Sequence, residues 1–332
     1  MKKEDSNGIW VFAELCGGSV RKVSFELLGA ARRLADAQSE KLAAVILAGD
    51  GGASEIPEEA IAFGADEVYV VEGPGYETYN TEAYCCAIAT LAEKYRPSAI
   101  IIGATDLGRD LAPRLAARLR TGLTADCIDM AYNSETANID WICPAFGGKL
   151  IVTISCPDSR PQMGTVRQGM YDLPRRSDAR RGRIIAEPIP ASPESSLVRV
   201  LDTVVSAAEG PDLESAQVIV AGGHGMGSAE NFEKLYRLAE LLGGKVAASR
   251  APVEFGWIDE GCMIGHSGKS VSTKLYIALG ISGTIQHVAG VKSDLIIAVN
   301  KDRNAPIFDI ADISVVGDAN EFVSALVARL EK

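Results

Sequence analysis

The run Val218-Ile219-Val220-Ala221-Gly222-Gly223-His224-Gly225-Met226-Gly227 decides how the second half of this 332-residue chain is read. Its apolar start predicts a buried strand, its glycines a tight turn, and the amphipathic stretch from Ser228 to Leu242 a helix. Strand, glycine turn and helix in that order cradle phosphates: glycine lets the backbone approach an anion, and the helix start offers free N–H groups. The same turn also serves tight packing without any ligand, and both readings stand at this point.

Outward from this run the chain alternates. Ala247-Ala248 reads as a short strand, Thr273 to Leu279 as a helix start, Leu295 to Val299 and Ile313 to Val316 as strands, and Glu321 to Leu330 as a closing helix. Upstream, strands are expected at Ile9 to Leu15, Leu42 to Ala48, Glu67 to Val71 and Ala99 to Gly103. Helices are expected at Lys22 to Ala37, Ser54 to Phe63, Glu77 to Tyr95 and Leu107 to Arg120. This pattern predicts an α/β protein of two doubly wound, mostly parallel domains. Ile139 to Cys143 and Lys149 to Cys156, flanking Pro144-Ala145-Phe146-Gly147-Gly148, read as an antiparallel hairpin added to the first sheet. Clustered arginines followed by Pro188, Pro190 and Pro193 suit neither a helix nor a central strand, so the boundary is placed between Arg175 and Ser196. The expected domains are residues 1–196 and 197–332.

Composition narrows the partners. With 47% hydrophobic residues, 23% charged residues and 33 glycines, the chain has the profile of a folded protein with a substantial core. A net charge of −11 opposes phosphate backbones and anionic lipid, so neither nucleic acid nor a membrane surface is an expected partner. The polar opening Met1 to Asn7 and apolar runs no longer than Leu42 to Ala48 lead us to expect no secretory segment, no membrane insertion and a cytoplasmic location. Seven cysteines without a Cys-x-x-Cys pair, and with Cys85-Cys86 adjacent in a helix-like stretch, support neither a disulfide framework nor an iron–sulfur site. The three histidines, His224, His266 and His287, all lie in glycine-containing turns of the second half, but their spacings match no common metal motif.

The run from Leu275 to Gly290, through Gly280-Ile281-Ser282-Gly283-Thr284-Ile285-Gln286-His287, closely resembles the signature of the electron-transfer flavoprotein alpha subunit. The likeness continues through Ile297-Ala298-Val299-Asn300-Lys301-Asp302 and Ala305-Pro306-Ile307-Phe308. Ser249-Arg250, the Gly265-to-Lys269 turn, Asp106 to Arg114 and Thr121-Gly122-Leu123 also look like the family, so the resemblance spans nearly the whole chain.

This resemblance implies FAD in the C-terminal domain and an N-terminal domain that scaffolds a heterodimer with a beta subunit. The N-terminal fold is similar to nucleotide-binding folds, yet in the family it is not the nucleotide site. The implied role is to relay single electrons from flavin dehydrogenases, such as acyl-CoA dehydrogenases, to a quinone reductase, ferredoxin or flavodoxin. Carried over by motif, Arg250 is expected near the isoalloxazine ring, Ser267 near flavin N5, and Gln286 and His287 near the pyrimidine edge. A guanidinium and an imidazole N–H aimed there would stabilise an anionic semiquinone. Asn300 and Asp318 are expected at the nucleotide half, with Ser249, Ile264, Gly265, Ser282, Gly283, Thr284 and Ile285 as further contacts. Asp318 also reads as a plain helix N-cap. His224 stands where the family usually has arginine and His266 where it has glutamine. The first should weaken one contact to FAD; the second should make the flavin potential pH-dependent.

Three other readings compete. The chain could be the relay subunit of a bifurcating NADH/ferredoxin system, with the bifurcating FAD in the beta subunit. A nicotinamide-dependent dehydrogenase would share the glycine turn but lacks a convincing acid, base and substrate-clamp set. A non-catalytic nucleotide-binding regulator would not need the histidines. The Pro-containing boundary predicts a hinge that lets the flavin domain reorient between partners.

Overall fold

The computed structural model describes residues 3–145, 150–188, 198, 200, 201, 211, 213 and 216–331. The chain divides into two compact units, Met1–Thr203 and Val204–Lys332. The expected division at 196/197, with Pro190 and Pro193, lies outside the described residues.

The first unit runs β1 (Ile9–Phe12), β2 (Leu15–Cys16), β3 (Ser19–Val20), α1 (Lys22–Gln38), β4 (Leu42–Ala48), α2 (Ile56–Ala62), β5 (Glu67–Glu72), α3 (Thr81–Tyr95), β6 (Ala99–Gly103) and α4 (Asp106–Leu119). It continues with β7 (Leu123–Cys127), β8 (Asp129–Asn133), β9 (Asn138–Ala145), β10 (Leu150–Ile154), β11 (Gln162–Val166) and β12 (Arg183–Ala186). Seven parallel strands form one sheet in the order β12-β5-β4-β1-β6-β11-β7. β4 and β6 are buried along their whole length, as strands covered on both faces must be. The helices have their own start and stop signals. Asn80 accepts from the N–H groups of Glu82 and Ala83 to cap α3, and Thr105 accepts from Gly108 N–H to cap α4.

The second unit runs β13 (Val218–Gly222), α5 (Phe232–Leu241), β14 (Lys245–Ala248), α6 (Arg250–Glu254), β15 (Val271–Leu279), α7 (Ile285–Val288), β16 (Val291–Asn300), β17 (Ile313–Val316) and α8 (Ala319–Leu330). Its five strands are parallel in the order β14-β13-β15-β16-β17. Both units are therefore α/β with parallel sheets, as the alternation predicted.

Three expectations need correction. Thr273 to Leu279 is not a helix start but the inner strand β15, hydrogen-bonded to β13 and β16. From Tyr276 to Leu279 burial on both faces removes the alternation that marks a strand, and Thr273, Tyr276 and Ile277 are good strand formers. The hairpin of β9 and β10 is antiparallel as expected, but it pairs with β8 in a separate three-stranded sheet instead of joining the parallel one; its turn residues 146–149 lie outside those described. The parallel sheet is completed by three strands that were not expected, β7, β11 and β12. In β11, Gly164 admits the Trp141 ring, which would lie 2.2 Å from an added Cβ. β12, within the arginine-rich stretch, is an edge strand.

The strand order of the second unit places its switch point between β13 and β15: the chain leaves β13 towards β14 and returns on the other side as β15. Ligands in open α/β sheets bind outside the carboxyl ends of the strands at such a point. Here the turns that follow β13 and β15 meet backbone to backbone. Gly225 N–H donates to Gly280 O at 3.0 Å, and a Cβ on Gly223 would stand 2.2 Å from that same oxygen. Gly223→Ala should therefore cost about 1–3 kcal/mol of stability by overpacking. Gly317→Ala, whose Cβ meets nothing within 4 Å, should change it by less than about 0.5 kcal/mol. Denaturant unfolding of the two full-length variants measures the difference.

Candidate functional site

Hydrogen bonds stitch the carboxyl ends of the second sheet into one floor. Ser249 N–H donates to Gly222 O at 3.0 Å, joining the end of β14 to that of β13. Ile264 N–H donates to Ala248 O at 2.9 Å, and His266 N–H donates to Gln286 O at 2.6 Å, tying the 264–269 turn to both β14 and α7. Asn300, at the end of β16, donates through Nδ2 to Ile281 O at 2.8 Å. Ile307 N–H donates to Ser282 O at 3.0 Å. The structure thus brings Ser249, Arg250, Ile264–Ser267, Ser282–His287 and Asn300 to one end of the sheet, although they span some fifty residues of sequence.

The centre of this floor is the loop after β15. Gly283 has φ +83°, and a side chain there would meet Ile307 N at 2.2 Å, so only glycine gives this path. The path turns the chain into α7 so abruptly that the backbone N–H groups of Ser282, Gly283, Thr284, Ile285 and Gln286 have no hydrogen-bond partner among the described residues. Ser282, Thr284 and Gln286 are exposed, and so are His266 and Ser267 on the facing turn. Five successive donors with exposed hydroxyl, amide and imidazole neighbours suit an anionic or carbonyl-rich ligand.

Around this loop the side chains sort into free and occupied. Arg250 is exposed, and its Nε donates to Glu254 Oε1 at 2.7 Å, one turn along α6. His224 is exposed and stacks on Trp257, ring centroids 5.9 Å apart at 12°, with Phe255 beside both. Asp318 is the N-cap of α8: Oδ1 accepts from Asn320 and Glu321 N–H, and Oδ2 pairs with Lys301 Nζ at 2.6 Å. That lysine holds the carboxyl below its ordinary range. The capping reading of Asp318 is therefore present in the structure. Asn300 Oδ1 accepts from Asp302 N–H at 3.0 Å, so this amide shapes its own loop at both ends.

His287 is buried, with both ring nitrogens occupied. Nδ1 lies 3.1 Å from Ile264 O, and Nε2 lies 2.9 Å from the Tyr276 hydroxyl. The ring N–H that the sequence reading aims at a flavin is spent here on the Ile264 carbonyl. Burial pushes the imidazole down to about 4, with the Ile264 carbonyl pulling weakly the other way. Sequence reasoning also missed Asn320 and Asn231, whose Nδ2 groups both donate to Met226 O, at 3.2 and 2.7 Å, to hold the glycine turn. The buried Oδ1 of Asn320 has no partner among the described residues. A signal existed: Asn320 sits two residues past a capping aspartate at a strand's carboxyl end.

Among the described residues no group of three or more His, Cys, Asp or Glu side chains could hold a metal ion. Among the same residues no helix is long and apolar enough to cross a membrane.

Comparison with known proteins gives a consistent answer. The electron transfer flavoprotein domain matches residues 9–192, and the electron transfer flavoprotein FAD-binding domain matches residues 212–292. Protein FixB of Clostridium saccharobutylicum is 44% identical over 333 residues, covering 100% of this chain and 98% of that protein. The electron transfer flavoprotein subunit alpha of Thermoanaerobacterium thermosaccharolyticum is 44% identical over 99% of both chains. That of Megasphaera elsdenii is 42% identical over 100% of this chain and 98% of its own. Among solved structures, a Rhodococcus jostii thiamine diphosphate-dependent 4-hydroxybenzoylformate decarboxylase aligns with 99% of this chain and 60% of its own, at TM-score 0.22 and 14% identity, too little to argue from.

The buried imidazole generates a pH prediction. The unfolded chain protonates His287 at about 6.5 and the folded chain only at about 4, so folding favours the neutral ring. Stability is full above pH 6.5 and falls as pH drops to about 4, by up to about 3 kcal/mol from this residue. Denaturant unfolding at pH 7 and pH 4.5 should show a smaller pH-dependent loss in His287→Gln than in the natural chain.

Proposed function

The chain belongs to the electron transfer flavoprotein alpha-subunit family, and from that membership we propose that it is the FAD-carrying half of a heterodimer with a beta subunit, relaying electrons one at a time. Its electrons would come from flavin dehydrogenases, acyl-CoA dehydrogenases among them, and leave to a quinone reductase, ferredoxin or flavodoxin. The observation that carries this reading is the run of five unpartnered backbone N–H groups, Ser282 to Gln286, at the switch point of the second sheet.

The residues fit the group. FAD supplies the one-electron chemistry; the protein's part is to bind it, orient it and bias its charge. The free N–H groups of Ser282–Gln286 and the guanidinium of Arg250 are the donors proposed to face the ring's electron-rich edge. Fixed backbone dipoles do this at no reorganisation cost. Ser267 and His266, on the turn pinned to Gln286, would flank the same ring. The nucleotide half is proposed to lie over the ends of β16 and β17. Asn300 and Asp318 are already committed to loop and cap, so their part there is to hold those loops in place. His224, stacked on Trp257, offers an imidazole where the family has a guanidinium.

A stepwise reductive titration followed by visible absorption tests the proposal. We expect one FAD per chain and two resolved one-electron steps; a chain that stays colourless with added FAD would refute it. A second flavin that enters only with the beta subunit and is reduced in a two-electron step would instead indicate electron bifurcation. Arg250→Ala removes an exposed ion pair of little stabilising value, so the fold should persist. The first reduction potential should fall by about 60–120 mV, the loss of one charge-assisted contact. Spectroelectrochemistry reads that shift.

A further inference from the structure

Cys127 ends β7 in the parallel sheet, and Cys143 lies sixteen residues later in β9 of the separate antiparallel sheet. The fold brings their sulfurs to 3.3 Å. The Cys143 thiol donates to Cys127 Sγ, and the Cys127 thiol donates to Thr124 O at 3.5 Å. Both cysteines belong to one buried apolar cluster, with Trp141 and Val166. All seven cysteines of the chain are free thiols, and this pair has no part in the site of the second unit.

The backbones are tied where the two side chains meet. Ile128 N–H, next to Cys127, donates to Ile142 O, next to Cys143, at 2.8 Å. Arg167 N–H donates to Cys127 O at 2.9 Å, which fixes the end of β7 to β11 as well. Main-chain bonds therefore hold the sulfurs as neighbours. An S–S bond of about 2.05 Å asks them to close by roughly 1 Å, which small side-chain rotations supply.

Burial pushes both thiols up, so at neutral pH the pair rests protonated and unreactive towards weak oxidants. Access differs between the two. Cys127 is fully buried, whereas Cys143 is 6% exposed, so a small oxidant meets Cys143 first.

We propose that Cys127 and Cys143 are an oxidation site, where hydrogen peroxide forms a disulfide that ties the antiparallel sheet to the parallel one. The Cys143 sulfur, as its thiolate, attacks one peroxide oxygen and the O–O bond breaks. Cys143 becomes a sulfenic acid, and the other oxygen leaves as hydroxide and takes up the thiol proton to give water. The Cys127 sulfur then attacks the sulfenic sulfur: the S–S bond forms, the S–O bond breaks, and a second water leaves with the Cys127 proton. The two thiols give up two electrons and two protons, and one peroxide accepts them. The disulfide closes a sixteen-residue loop and so restricts the unfolded chain more than the folded one. None of this depends on the flavin reading.

Peptide mapping of the full chain tests the site. The folded protein is treated with hydrogen peroxide, then denatured in excess iodoacetamide, digested without reductant and analysed by mass spectrometry. We expect one linked peptide pair carrying Cys127 and Cys143, lighter than its two free peptides by two hydrogen atoms and separated by dithiothreitol. The oxidised chain should also unfold at a higher denaturant concentration than the same chain after dithiothreitol. Cys143→Ser should form no such link and lose that difference, whereas Cys85→Ser, a buried cysteine in another part of the core, should behave as the natural chain does. A map that lacks the link when the exposed Cys16 is already oxidised overturns the proposal. So does a link from either cysteine to a different one, or a link that forms only when peroxide is added after denaturation. Should a variant fail to fold, the map of the natural chain still decides.

Discussion

The contact on which the second unit depends is between two turns without side chains. Gly223 and Gly225 after β13 press against Gly280 after β15, close enough that one added carbon at Gly223 would overlap a carbonyl oxygen. This contact closes the switch point of the sheet. Beyond it, along the path that Gly283 sets, lies the run of N–H groups from Ser282 to Gln286 that has no partner among the described residues.

The site's polar side chains divide along the same line. Those nearest the sheet are consumed by the protein: His287 by Tyr276 and Ile264, Asn300 by Ile281 and Asp302, Asp318 by the start of α8 and Lys301. Those on the rim, Arg250, His266, Ser267 and Thr284, remain exposed. Under the flavin reading proposed above this division matters, because a donor that must reorganise when charge arrives gives back part of what it contributes. The backbone dipoles cannot turn away, and the buried imidazole is held neutral by its surroundings.

Much of the site was legible because its residues cluster in motifs. Ser282 to His287 are contiguous, and the residues of the 264–269 turn and Ser249-Arg250 carry their own signatures. What those motifs do not carry is the state of each side chain. His287 is placed beside Gln286 by its motif; that its ring is buried, with Tyr276 from eleven residues away on a strand 2.9 Å from Nε2, is not in the motif. Asn320 was easy to pass over, because a polar residue after a helix cap is ordinary. The fold shows the same limit. Strands flanked by clear turns were located to within a few residues, whereas β15 read as a helix because an inner strand buried on both faces has lost its alternation.

The sequence by itself determined the alternating α/β order of both halves, the glycine turns and the resemblance to a flavin-binding family, since local propensity and contiguous motifs depend only on neighbours along the chain. Only the tertiary structure decided the strand order that creates a switch point, the separate sheet of β8, β9 and β10, and which donors remain free. Those outcomes depend on pairings between residues tens of positions apart. Whether a polar group faces a ligand or another part of the protein is fixed by what packs against it.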